Sequence, residues 1–476
     1  MSVANKPQPD AQSPGFITLP WWRGAVFGLI AIGCFHLAYT PAQSGSWSLA
    51  ILGYVICLAQ LARLCSARKS FYTALATGFL CVAPQLDCFW KIFGGAAIAL
   101  WLVLALWLAA FVALVRLALV KLGPWRASFL LPFFWTGLEY FRSELYYLKF
   151  SWLNVGYAFS DLPLLPFKNL GVYGLGTFAA CLAGALLFLS WKRMVAVAVV
   201  VAGFSCLLIT TPTRDDGSQL TLAGVQLEFP DAEKIMLSLD KLAATYPNAD
   251  LLVLSEYTMN HEPSAALKDW CRARQKFLIV GGQDNSPGTN YFNTAFVIST
   301  NGDVVFQQVK SVPIQFFKDG LPAPEQSVWD SPWGKIGICI CYDLSYTRVT
   351  DPLVRLGAQL LVVPTMDVVE WGKRQHDLHA RIAPVRAAEY GLPIFRVASS
   401  GVSQGVNRFG LTQVSAPFPG EGEMLAFTTR MVKRSSLPPD RLLAPLCLCV
   451  TGVFLLRTII ASLWGRRFQS ETTARS

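Results

Sequence analysis

Three residues able to carry out acyl chemistry together each close an apolar, β-rich run. Glu256 follows Leu251 to Leu254 and Ser255, Lys310 follows Asp303 to Val309, and Cys341 ends Lys335-Ile336-Gly337-Ile338-Cys339-Ile340-Cys341, ahead of Tyr342-Asp343. A thiol of pKa about 8.5 is mostly protonated at neutral pH, so a neighbouring carboxylate must take its proton as it attacks a carbonyl. Glu256 is the candidate base. The oxyanion that forms needs a fixed donor, and the Lys310 ammonium with the backbone N–H of Tyr342 would supply one; losing such a donor costs about 2.7–4 kcal/mol. An amine would then attack the Cys341 thioester, with Glu256 accepting a proton again, which predicts ping-pong kinetics. Taken singly, Glu256 reads as a loop cap, Lys310 as a surface lysine and Cys341 as a small buried hydrophobe. A strand that stops at Cys341 is expected to turn that side chain toward solvent.

These residues need an α/β framework, and the sequence supplies its pattern from Leu220 onward. Strands are expected at Leu220 to Leu227, Asp250 to Leu254, Phe277 to Gly281, Asn293 to Ser299, Asp303 to Val309, Lys335 to Cys341, Gln359 to Val363 and Pro393 to Ala398. Helices are expected at Asp231 to Ala244, Ser264 to Gln275, Thr350 to Leu356 and Gln375 to Tyr390, and Asn301-Gly302 reads as a hairpin turn. This is a layered α/β domain with catalytic groups at strand ends.

The chain as a whole is too apolar for a soluble enzyme: 53% of its 476 residues are hydrophobic and the mean hydropathy is +0.42. Membrane-spanning segments are expected at 24–40, 46–62, 71–90, 95–115, 127–141, 167–190, 194–211 and 441–463. The third and fifth are the weakest, the third being interrupted by Pro84, Gln85 and Asp87. This gives a polar, disordered cytoplasmic tail at 1–21, a transmembrane domain of about seven helices at 22–211, an extracytoplasmic domain at 212–436, and a last transmembrane helix with a short cytoplasmic tail at 437–476. Arg23, Arg63-Arg68-Lys69, Arg116-Lys121-Arg126, Lys192-Arg193 and Arg466-Arg467 fall on one side if all eight segments span, and that side is the cytoplasm. The net charge of +10 is thus a topology signal, and no nucleic-acid partner is expected.

Nine of the 12 cysteines lie in or beside the membrane segments, leaving Cys271, Cys339 and Cys341 in the outer domain, which is no disulfide framework. Cys339 and Cys341, two apart on a strand, should face the same side. His376 and His379 lie i, i+3 without further ligands, so neither a metal nor another cofactor is expected. Glu139 and Arg142, also i, i+3, read as an ion pair at a helix end or as contacts to a lipid headgroup.

The order Glu256, Lys310, Cys341, with Gly281-Gly282, Tyr291-Phe292-Asn293-Thr294, the run His379-Ala380-Arg381 through Arg386-Ala387-Ala388-Glu389, and Gly391-Leu392-Pro393, resembles the nitrilase, or carbon-nitrogen hydrolase, superfamily. That resemblance implies an α-β-β-α sandwich with a Glu-Lys-Cys triad. With the membrane segments, and with Trp135, Glu139, Arg142, Trp152, Gly156-Tyr157, Pro163 and Gly171-Val172-Tyr173-Gly174, the chain is similar to the apolipoprotein N-acyltransferase family over nearly its whole length. The similarity implies a multi-pass inner-membrane enzyme of bacteria, with its catalytic domain on the periplasmic face. Its acyl donor would be a membrane phospholipid and its acceptor the N-terminal amine of a diacylated lipoprotein, with Tyr342, Asp343, Glu139 and Arg142 as substrate-binding residues. The pattern departs from the family at Leu254-Ser255-Glu256, where Trp-Pro-Glu is usual, and at Asp343, where a Glu is usual. It departs again in the lysine loop, where Val312-Pro313-Ile314-Gln315-Phe316-Phe317-Lys318 offers no carboxylate until Asp319, so the family's second Glu is expected to lack a counterpart. The alternatives are a divergent nitrilase-like amidase or acyltransferase of another pathway, such as conjugal transfer, and a membrane scaffold that has lost catalysis.

Overall fold

The computed structural model describes residues 18–40, 46–162, 170–188, 217–433 and 435–473. The expected span at 194–211, most of the N-terminal tail, Pro163 and the last residues of the chain lie outside them. The membrane half contains α1 (Trp21–Tyr39), α2 (Ala50–Gln60), α3 (Ala67–Gln85), the short α4 (Cys88–Phe93), α5 (Ala96–Tyr140) and α6 (Gly171–Phe188), and α12 (Asp440–Thr473) returns to it after the outer domain. Among the described residues, Trp21–Tyr39, Ala96–Leu145 and Asp440–Trp464 are long and apolar enough to cross a membrane, and Trp47–Arg63 and Gly171–Leu186 are shorter apolar helices. The expected fourth and fifth segments join in α5, which kinks at Gly123 (φ 81°, ψ 170°), an angle open to glycine, immediately before Pro124. The third ends at Gln85, before Asp87, as the interruption in its sequence predicts.

The basic ends of these helices lie together. The Leu19 N–H donates to the Arg63 carbonyl at 2.8 Å, and the Arg116 guanidinium reaches the carbonyls of Ala62 and Leu64. The outer domain meets the opposite end: Arg374 donates to the Pro84 carbonyl, and Tyr342 Oη donates to the Lys149 carbonyl at 3.0 Å.

The outer domain is built from two six-stranded sheets. One has the order β12-β1-β2-β3-β4-β5, from β1 (Gln219–Val225), β2 (Leu251–Val253), β3 (Phe277–Asp284), β4 (Phe292–Ile298), β5 (Val304–Val309) and β12 (Met424–Arg430). The other has the order β11-β10-β9-β8-β7-β6, from β6 (Val328–Ser331), β7 (Gly334–Ile338), β8 (Leu360–Thr365), β9 (Ile394–Ala398), β10 (Ser403–Val406) and β11 (Thr412–Ala416). Leu222, Leu251, Val253, Ile279, Ile336, Ile338, Val362 and Phe395 fill the space between them. Helices α7 (Ala232–Thr245) and α8 (Ala265–Arg274) cover the first sheet, with Leu239, Leu242 and Leu267 packed on Val225, Leu252 and Val280. Helices α9 (Thr347–Arg355), α10 (Lys373–Ala380) and α11 (Ile382–Tyr390) cover the second. Their core is continuous with that of the membrane half, where Leu353, Leu378 and Ile382 join the cluster that contains Phe134 and Tyr173. The fold is therefore an α-helical apolar half and an α-β-β-α sandwich.

Two expectations about local structure are corrected. The single helix at 375–390 is two, separated at Arg381, with Pro384 in the first turn of α11, where its missing N–H costs no hydrogen bond. Strand β7 ends at Ile338, and Cys341 lies three residues beyond it at φ 52°, so Cys339 and Cys341 do not share a face. Cys339 packs with Leu344 and Leu353 under the helices, while Cys341 packs with Ile338 and Val362 between the sheets. Both are free thiols.

Candidate active site

Parallel pairing of β1, β2 and β3 and of β7, β8 and β9 brings the C-terminal ends of these strands to one edge of the sandwich. Glu256 leaves β2 there, and β3 passes so close that a Cβ on Gly281 would stand 2.6 Å from Glu256 Cα, which accounts for the glycine. Lys310 follows β5, and its backbone N–H donates to the Asn293 carbonyl of β4 at 2.8 Å. The structure brings Glu256, Lys310 and Cys341 into one buried cluster, exposed by 1%, 0% and 2%. The expectation that Cys341 faces solvent is thus overturned, because its positive φ turns the thiol inward to a cavity.

Lys310 Nζ stands 2.8 Å from Glu256 Oε1 and 2.7 Å from Asp319 Oδ2. Asp319 is the carboxylate the lysine loop was expected to lack. The turn Ile314 to Asp319, closed by a 2.7 Å bond from the Ile314 N–H to Asp319 Oδ2, carries it back over Lys310. Tyr257 Oη donates to Asp319 Oδ1 at 2.7 Å, and Asn293 Nδ2 bridges Asp319 Oδ1 and Glu256 Oε1 at 3.0 and 2.6 Å. Glu256 Oε2 accepts from the Met366 N–H at 2.8 Å, while Cys341 Sγ donates to the Met366 carbonyl at 3.6 Å. An ammonium has three N–H donors. Two of those on Lys310 meet carboxylates, leaving one for a charge that develops at Cys341.

Burial pushes the Glu256 carboxyl above its ordinary value, against the pull of Lys310. Burial also disfavours the Asp319 anion, but Lys310 and the donors around it hold that carboxyl below the usual range. For Lys310, burial opposes the charge, yet Glu256 and Asp319 raise it well above its ordinary value, so the lysine stays an ammonium. Burial and the Glu256 charge push the Cys341 thiol far up. The resting site therefore holds a thiol, an ammonium and carboxylates, and the proton leaves sulfur only as a bond forms to carbon.

Asp343 has no free carboxylate oxygen to offer a ligand. It accepts from the N–H groups of Ser311 (3.0 and 3.1 Å), Val312 (2.7 Å) and Ile340 (3.3 Å), which fastens the lysine loop to the cysteine turn. Burial raises its pKa to about 6. The Tyr342 ring packs edge-on to Tyr346 at 4.9 Å and to Trp152 at 5.8 Å. Glu139 and Arg142 form no ion pair with each other among the described contacts. Glu139 Oε1 accepts from the Val155 N–H at 2.8 Å and Arg142 donates to Asn154 Oδ1 at 2.5 Å, and both line a separate small cavity with Trp135 and Phe111. No cluster of metal-ligating residues occurs among the described residues.

Cys341 and Tyr342 lie on a cavity of about 910 Å³, counting its open mouth. Phe89, Phe93, Leu100, Val103 and Leu104 of the membrane half form one wall, Ile314, Phe316 and Phe317 of the lysine loop another, and Asp367, Trp371 and His379 a third. Asp367 and His379 escaped the sequence reading as site residues. For His379 the signals were the i, i+3 spacing from His376, set aside for want of further metal ligands, and the helical run that begins there; Asp367 had none.

Residues 33–186 match the apolipoprotein N-acyltransferase N-terminal domain, and residues 222–430 match the carbon-nitrogen hydrolase domain. A putative apolipoprotein N-acyltransferase of Bordetella parapertussis is 30% identical to the chain over 506 aligned positions, covering 84% of this chain and 91% of that one. The chain belongs to the apolipoprotein N-acyltransferase family. The family member of Shewanella oneidensis is 25% identical over 416 positions, covering 74% of this chain and 80% of its own. Among solved structures, a nitrilase-superfamily protein of Saccharomyces cerevisiae aligns with 46% of this chain and 93% of its own, at 17% identity and a TM-score of 0.39. Membership of the acyltransferase family and the apolar helices together make this a membrane protein.

Proposed function

We propose that the protein transfers an acyl chain from a membrane phospholipid, through a thioester on Cys341, to the α-amino group of a diacylated lipoprotein. The observation that carries this reading is that Cys341, clustered with Lys310 and Glu256, opens on an apolar cavity also lined by Leu100, Val103 and Leu104 of α5. An ester carbonyl at Cys341 would leave its hydrocarbon tail against a membrane helix. Glu256 takes the thiol proton as sulfur attacks, and passes it to the departing glycerol oxygen. Lys310, with the Tyr342 N–H, stabilises the oxyanion. Asp319 and Asn293 hold Lys310 and Glu256 in place, and Asp343 holds the loop.

The curated relatives carry the name apolipoprotein N-acyltransferase, which supports a lipoprotein as acceptor. Basic residues gathered at the helix ends away from the outer domain support a cytoplasmic location for those ends, and so an outer domain on the periplasmic face of the inner membrane. The test is to incubate the purified protein with phosphatidylethanolamine and a peptide that begins with S-diacylglyceryl cysteine. The peptide should gain one acyl chain on its α-amine, and with Cys341→Ala it should gain none. Acylation of some other amine, with this peptide untouched, would sink the lipoprotein assignment and leave the acyl chemistry standing.

A further inference from the structure

His379 faces the same cavity as Cys341 and has no part in the chemistry described so far. Its ring is fixed on every side but one. Nδ1 lies 2.8 Å from Asp367 Oδ1, which also accepts from Gln375 Nε2 at 3.0 Å, and the face of the ring stacks on Trp152 at 4.6 Å and 16°. Arg396 donates to Asp367 Oδ2 and comes within 3.0 Å of Nδ1. A lone pair on Nδ1 would point at a carboxylate oxygen, so we assign the proton to Nδ1 and leave the lone pair on Nε2. That Nε2 is buried and has no partner among the described residues. Burial, Arg396 and Lys310 outweigh the pull of Asp367 and hold the imidazole below its ordinary pKa, so it is neutral at pH 7. The site is one residue from the reacting centre: the Met366 backbone touches both Glu256 and Cys341, and the next residue is Asp367.

The second half-reaction needs such a base. An α-amino group of pKa about 7.7–8.0 arrives mostly as an ammonium. It must lose one proton before nitrogen has an electron pair with which to form the N–C bond. When the tetrahedral intermediate collapses, the C–S bond breaks with its electrons on sulfur, and a second N–H proton is transferred to that sulfur. Glu256, deprotonated once the glycerol has left, can carry only that second proton. The first must go elsewhere and finally to water.

We propose that His379, oriented by Asp367, is the catalytic base that deprotonates the incoming ammonium at Nε2. The proposal rests on the acyl-transfer reading above.

The test uses the full-length protein in detergent, charged with acyl chain from phosphatidylethanolamine and then offered one of two nucleophiles. With His379→Gln the acyl-enzyme should still form, so that both transfers can be measured from the same charged protein. Its transfer to a peptide α-amine at pH 7 should fall about 100-fold, the scale of general-base catalysis. Transfer to hydroxylamine, already uncharged at pH 7, should be unchanged. Above about pH 9, where the peptide is free amine, the two proteins should converge. The wild type gives an independent reading: its transfer rate should stay flat from about pH 6.5 to 7.7, whereas a site without this base would follow the free amine and rise tenfold per pH unit. Equal losses with both nucleophiles, an unchanged amine rate in His379→Gln, or a tenfold-per-unit rise in the wild type would each overturn the proposal. Failure of the wild type to form any Cys341-dependent adduct would overturn the acyl-transfer reading first, and this proposal with it.

Discussion

Lys310 is held between two carboxylates, and this arrangement decides what each neighbour contributes. With Asp319 at 2.7 Å and Glu256 at 2.8 Å, the ammonium is held where its third N–H would meet the proposed oxyanion. Replacing Asp319 by Asn keeps the shape and removes one charge, so acyl-enzyme formation should fall about 10- to 100-fold, part of the 2.7–4 kcal/mol that an oxyanion donor supplies. Stopped reactions followed by mass would measure it, and a rate within twofold of wild type would remove Asp319 from the account. Glu256 acts as a base only when ionised. Because burial raises its pKa, the rate should drop as pH falls through a value above the ordinary carboxylate figure of about 4.3. Asn293→Ala removes a donor that favours the anion, so the acid limb should move further up in pH. Glu256, Lys310 and Cys341, which the structure clusters, could be singled out in the sequence because each follows an apolar β run. Asp319 could not, since its role depends on a turn that folds the chain back across nine positions, and the sequence shows only where a carboxylate lies along the chain. The inward thiol was illegible for a related reason, a single positive φ at Cys341.

At the level of elements, strands and helices with strong apolar patterning were readable to within a few residues, as β1, β4 and α7 show. The strands β6, β10, β11 and β12 were not anticipated. Ser403-Gln404-Gly405-Val406 and Thr412-Gln413-Val414 are short and polar, and they are strands because β9 and each other's backbones pair with them. Strand β12 depends on a partner far off in sequence, pairing antiparallel with β1 from Gln219↔Arg430 to Val225↔Met424. The docking of α12 was equally hidden. Its Arg441 reaches Asp351 Oδ2 and Glu389 Oε1, each at 2.8 Å, and Asp440 Oδ1 at 2.6 Å, while Asp440 Oδ2 accepts from the Tyr173 N–H at 3.0 Å. One arginine thus ties α9, α11, α12 and, through Asp440, α6 together. Removing one partner from a buried ionic cluster costs about 3–5 kcal/mol, so Arg441→Ala should lower the thermal midpoint in detergent by several degrees. An unchanged midpoint would show that apolar packing alone docks the helix.

Across the whole molecule, the cavity exists only because the two halves meet. Phe93 of α4 packs edge-on against Phe316 and Phe317 of the lysine loop, each at 5.9 Å, and Trp152 donates to Ser345 Oγ at 3.0 Å beside the cysteine turn. Composition revealed a membrane half and an α/β half, but no periodicity in either tells where they touch. On the proposed reading that contact supplies the acyl site, an apolar cavity that Cys341 shares with α4 and α5. The most direct test is the mass of the intact, detergent-purified protein after incubation with phosphatidylethanolamine, with Cys341→Ala alongside. The wild-type protein should gain one acyl chain, released by hydroxylamine and missing from the variant. An unmodified wild type, or equal acylation of both proteins, would contradict it.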